Sequence, residues 1–108
     1  MAVTGPIVQA NGNITFFQGQ TGNATSPIYN WNNRRGIGQF VITGVFNGAS
    51  VALQYSFDGS NWNTAATITV NGPSTLVYIS AGELVRAVVS SVGASTNLNI
   101  YLTEVSGV

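Results

Sequence analysis

A chain of 108 residues is about one domain long. Hydrophobic residues make up 44% of it, an ordinary globular share, but charged residues make up only 6%, against a usual ~25%. Lys, His and Cys are absent, and three Arg balance three acidic residues to a net charge of zero. Three arginines cannot form the positive stripe that a phosphate backbone requires, so nucleic acid is excluded as a partner. A basic membrane-surface helix is excluded for the same reason, and a thiolate metal site or disulfide scaffold for want of cysteine.

At the N-terminus, Met1-Ala2-Val3-Thr4-Gly5-Pro6 lacks the positive cluster and apolar core of a signal peptide. No apolar run approaches the ~20 residues of a membrane span. Asn13-Ile14-Thr15 and Asn23-Ala24-Thr25 match the glycosylation sequon; chance accounts for both in a chain so rich in Asn and Thr. Through residue 35 the apolar pieces are short, as in Ile14-Thr15-Phe16-Phe17 and Pro27-Ile28-Tyr29, and sit among Gly, Asn, Gln and Thr. Residues 1–35 therefore read as an extended arm with one or two short strands. Residues 36–108 read as the folded domain, which is expected to stay folded when the arm is deleted.

From Gly38 onward the residues alternate with a period of two, and no 3.6-residue pattern is sustained. A first hairpin is expected from Gln39–Phe46 and Val51–Phe57 about Asn47-Gly48, the strongest short hairpin signal. Two registers keep its inward set intact: Ile42 opposite Leu53, or Ile42 opposite Tyr55. Turns follow at Asp58-Gly59-Ser60-Asn61, at Asn71-Gly72-Pro73 and at Ser80-Ala81-Gly82, with strands at Ala66–Val70 and Leu76–Ile79 between them. A last hairpin is expected to pair Val89 with Leu98, Ala87 with Ile100 and Val85 with Leu102, which puts the apolar residues on one face. Its outer face would then set Arg86 over Tyr101 as a cation–π pair. Strands of this length, with turns every 8–12 residues, predict a single antiparallel β-sandwich, Ig-like or jelly-roll-like, preceded by the extended arm.

Catalytic groups are scarce. General acid–base chemistry most often uses His, and otherwise Glu, Asp, Lys, Tyr or Cys; the only carboxylates are Asp58, Glu83 and Glu104. Asp58 reads as a turn residue in its Asp-Gly context. Glu83 and Glu104 read as solvated strand ends, although a hairpin would let them share a site. Neither zinc nor calcium finds a ligand set, so no cofactor or metal is expected and the protein is read as non-enzymatic. Ser56-Phe57-Asp58-Gly59-Ser60-Asn61-Trp62 approaches the Asp-box of sialidase-type propellers but departs from its spacing. It reads as a tight turn with Trp62 packed back across the strand, or as an exposed Trp stacking on sugar. Arg34-Arg35, the only local concentration of charge, follows Tyr29 and Trp31. It reads as a solvated loop or, together with those aromatics, as an anchor on an acidic partner surface, making Tyr29, Trp31, Arg34 and Arg35 the candidate partner-binding residues.

Three stretches, Gly48–Trp62, Ala81–Ser90 and Ala94-Ser95-Thr96 before a strand, resemble the small β-sandwich decoration or cement proteins on the capsids of tailed bacteriophages. The resemblance runs from Gly44 to the end, a little over half the chain, and carries strand-and-turn signatures, so no site residue transfers with it. It implies a virion protein on the capsid surface, made in the host cytoplasm, that binds the major capsid protein and stabilises the head. It also implies a homo-oligomer, a dimer or trimer. The alternative is a tail, fibre or lectin-like module that binds host glycans.

Overall fold

The computed structural model describes residues 7–8, 14–31, 37–72, 75–79 and 83–104, and among these every regular element is a strand. The strands are β1 (Ile7–Val8), β2 (Ile14–Gln20), β3 (Ala24–Thr25), β4 (Tyr29–Asn30), β5 (Ile37–Val45), β6 (Ser50–Ser56), β7 (Asn63–Ile68), β8 (Thr75–Tyr78), β9 (Leu84–Ser90) and β10 (Asn97–Glu104). They form two antiparallel sheets packed face to face. One has the order β1-β2-β10-β5-β8; the other has β3-β9-β6-β7, with β4 also on β9.

The pairings are nested. β6 pairs with β7, β5 with β8, β3 and β4 with β9, and β2 with β10. β1 and β2 pair outside this nest; within it each pair encloses the previous one in the chain, so only β6–β7 is a hairpin of consecutive strands. Both hairpins expected on either side of it are therefore corrected. β5 and β6 lie in different sheets, and so do β9 and β10. Val89 pairs with Val51, Ala87 with Leu53 and Val85 with Tyr55, while Leu98, Ile100 and Leu102 pair with Gly44, Ile42 and Phe40. The inward assignment of Val85, Ala87, Val89, Leu98, Ile100 and Leu102 agrees with the structure, since all six are buried. They meet across the interior from opposite sheets instead of side by side in one.

The turn chemistry at Asn47-Gly48 is as the sequence requires: φ is 45° and 88°, and Ala49 N–H donates to the Phe46 carbonyl at 2.9 Å. It serves to carry the chain from one sheet to the other. A second crossing, the loop 91–96 between β9 and β10, is fastened to it. Thr96, buried, donates its hydroxyl to the Phe46 carbonyl at 2.8 Å and accepts from Gly93 N–H at 2.9 Å. Ser95 N–H donates to Asn47 Oδ1 at 3.0 Å. Gly93 passes so close to Asn47 that any side chain there would collide with it.

Most of the expected arm is not an arm. β2 lies between β1 and β10, and its Ile14 and Phe16 are buried. Residues 24–31 run along β9 as one interrupted strand: Ser26 N–H donates to the Ala87 carbonyl at 2.8 Å, Ala87 N–H returns to Ser26 Oγ at 2.9 Å, and Trp31 N–H donates to the Glu83 carbonyl at 2.8 Å. Trp31 has no exposed surface and lies beside Gly38, Ile79 and Leu102. The core cluster therefore draws on residues from both sides of the expected 35/36 boundary.

Large apolar side chains contribute ~1.5–3 kcal/mol each on full burial, so this stretch cannot be removed without opening the core. Trp31→Ala is expected to lower stability by about 3–5 kcal/mol in chemical denaturation. Deleting residues 1–35 is expected to abolish the cooperative transition; a retained transition would show that the sandwich stands without them.

Candidate interaction surface

Two of the four predicted partner-binding residues, Tyr29 and Trp31, fall among the described residues. Trp31 is in the core, and Tyr29, on β4 opposite Val85, is half-buried and packs against it. Arg34 and Arg35 lie outside the described residues. An exposed Trp31 is thus corrected, since its ring lies in the core, and alternation on β4 turns Tyr29 toward the same side, where it packs partly buried against that core.

Arg86 is on the outer face of the other central pair. β6 and β9 set Gln54 opposite Arg86, and the β6–β7 hairpin brings Trp62 back beside them. Arg86 Nε donates to Gln54 Oε1 at 2.8 Å, and its guanidinium carbon sits 4.0 Å from the Trp62 ring centroid. The expected Arg86–Tyr101 pair does not form because β9 and β10 belong to different sheets. Trp62 does pack back across the strand, beneath an arginine that covers one ring face.

The turn preceding Trp62 is a self-contained polar knot. Asp58 Oδ1 accepts from Asn61 N–H at 2.8 Å, Ser60 N–H at 2.9 Å and Ser56 Oγ at 3.0 Å, and Asp58 Oδ2 accepts from Asn61 Nδ2 at 2.8 Å. Ser56 Oγ in turn accepts from Gly59 N–H at 2.9 Å. These donors, led by the Asn61 and Ser60 amides, hold the Asp58 carboxyl well below its usual range. Its lone pairs are taken up by the turn, which is a structural use of the carboxylate. Glu83, just before β9, is buried, and Glu104 ends β10, which lies in the other sheet. Among the described residues no group of three or more His, Cys, Asp and Glu is placed to hold a metal, and no helix is long and apolar enough to cross a membrane.

What the sandwich does present is an uncharged, partly apolar outer face on the β1-β2-β10-β5-β8 sheet. Alternation turns Gln39, Val41, Thr43 and Val45 of β5 outward, with Leu76 and Tyr78 of β8 and Asn97, Asn99, Tyr101 and Thr103 of β10. Val45 is 51%, Leu76 61% and Tyr78 84% exposed. Across the sheet, Asn99 accepts from Gly19 N–H at 2.9 Å and donates to Thr43 Oγ1 at 3.3 Å, which ties β2, β10 and β5 together on this face. The alternation that located these outward positions was readable; their grouping was not, because it depends on β8 joining β5.

Two outcomes test this geometry. A double-mutant cycle of Arg86→Ala and Trp62→Ala is expected to give a coupling of about 0.5–1 kcal/mol, and no coupling would deny the stack. Because the Asp58 carboxyl titrates lower in the folded than in the unfolded chain, its stabilisation is present above the ordinary value of 3.8 and is lost as pH falls through the lower folded value. The melting-temperature gap between wild type and Asp58→Asn should therefore be constant near neutrality and close on acidification below that value. A gap that widens with acid would contradict the assignment.

Compared with known proteins, the chain matches no family model, no curated protein and no solved structure.

Proposed function

We propose that this chain is a non-enzymatic virion structural protein, a capsid decoration or cement subunit that binds the outer capsid lattice as a homo-oligomer and stabilises the head. The observation that carries the reading is the outer face of the β1-β2-β10-β5-β8 sheet, where exposed Val45, Leu76 and Tyr78 sit among Gln, Asn and Thr with no charged residue at its described outward positions. Such a face can be covered by a neighbour without stripping water from ions, which costs several kcal/mol per ion where pairing is imperfect.

The strand order supports a jelly roll over an Ig-like sandwich. Counting eight principal strands from β2, with β3 and β4 as one, strands one, eight, three and six adjoin in one sheet and two, seven, four and five in the other. That order is consistent with an antiparallel ribbon folded at β6–β7 and wrapped as in a jelly roll, an architecture common in viral capsid and lectin domains. Fold alone does not assign function. The glycan-binding alternative is weakened by its own residues: Trp31 is in the core, and Arg86 covers one face of Trp62.

Purified protein added to capsids that lack it is expected to bind to saturation and raise their resistance to heat. Absence of binding would overturn the proposal, and retention on a glycan array that depends on Trp62 would favour the alternative.

A further inference from the structure

β7 and β8 end their respective sheets on the same side of the sandwich, where they pack against each other. Among the described residues, most of the exposed large apolar side chains gather along this side. Leu76 and Tyr78 lie on β8, and Val70 follows β7 at 69% exposure. Asn71 Nδ2 donates to the Gly44 carbonyl at 2.9 Å, which brings that segment next to Val45. Sheet edges are usually kept from pairing with other chains by charge, Pro, bulges or extreme shortness. β7 has a register shift in its pairing with β6 and an edge of Asn, Thr and Ala. β8, Thr75-Leu76-Val77-Tyr78, has only its four-residue length: it carries no charge and pairs with β5 without a shift.

We propose that β8 is the self-association site, and that two copies pair their β8 strands antiparallel about a two-fold axis, joining two five-stranded sheets (5 + 5) into one of ten. The occupant is a second copy because the strand is complementary to itself. Centred on Val77, the pairing sets Val77 against the second copy's Val77, both on the buried faces, and Leu76 against the second copy's Tyr78 on the outer faces. Across a two-fold axis a charged residue would meet its own charge; β8 and the described outward positions of β5 beside it have none, and the zero net charge of the chain adds no long-range repulsion. The outer faces of the two copies then form one continuous uncharged surface.

The site rests on the homo-oligomer part of the assembly reading, and its test is separate from capsid binding. Sedimentation equilibrium of the full chain is expected to give twice 11.2 kDa. Leu76→Lys and Tyr78→Lys, at positions already 61% and 84% exposed, are expected to return the mass to one copy with an unchanged far-ultraviolet circular dichroism spectrum. In the wild type alone, hydrogen exchange at 75–78 should slow as concentration rises. A monomer at all concentrations, a trimer, or a dimer that both lysine variants leave intact would overturn the proposal. A monomer that still coats capsids would overturn the edge pairing alone, whereas a dimer that binds none would overturn the lattice role alone.

Discussion

The buried hydroxyl of Thr96 ties together two of the crossings, β5 to β6 and β9 to β10, by which the chain leaves one sheet for the other at this end of the sandwich. It donates to the Phe46 carbonyl in the first crossing and accepts from Gly93 N–H in the second, while Asn47 reaches across to Ser95. These bonds satisfy the Phe46 carbonyl and the Gly93 and Ser95 N–H groups between the two crossings. β6 and β10 thereby lie in the opposite sheet from β5 and β9, the strands that precede them. The apolar sides of β9 and β10 meet through the core, which Trp31 fills from the N-terminal side.

Period-two alternation reports which face a residue takes and says nothing of which strand lies beside it. That is why Leu53, Val85, Ala87, Val89, Leu98, Ile100 and Leu102 were legible as inward residues while their partners were not. Nested pairing places most neighbours far apart in the chain, and only the innermost pair, β6 with β7 about Asp58-Gly59-Ser60-Asn61, is local enough to read from turn chemistry. The N-terminal third hid its strands for a different reason. β2 carries two register shifts against β10, and Ser26-Pro27 divides β3 from β4, so neither shows regular alternation. Trp31 looked like an interface aromatic because nothing around it in sequence signals burial; the signal is its backbone bond to Glu83, which only the folded chain contains.

The same arrangement explains where the missing charge matters. With the interior closed by residues from both ends of the chain, the outer faces are all that remains for contact. The described carboxylate with a defined exposed setting, Asp58, is bound up in its own turn, and Arg86 is held over Trp62 by Gln54. Neither cluster belongs to the face that exposes Leu76 and Tyr78. An uncharged face beside an unprotected edge offers little solubility and low desolvation cost, a combination that suits a subunit covered by neighbours.

The crossing topology is the claim on which the inward core, the placement of Trp31 and the open β8 edge all depend. Cross-strand backbone contacts measured by nuclear Overhauser effects in the isotopically labelled protein read it directly. The account predicts contacts linking Val51 with Val89 and Gly44 with Leu98. Contacts linking Val89 with Leu98 across a shared ladder would return β9 and β10 to one sheet and contradict it.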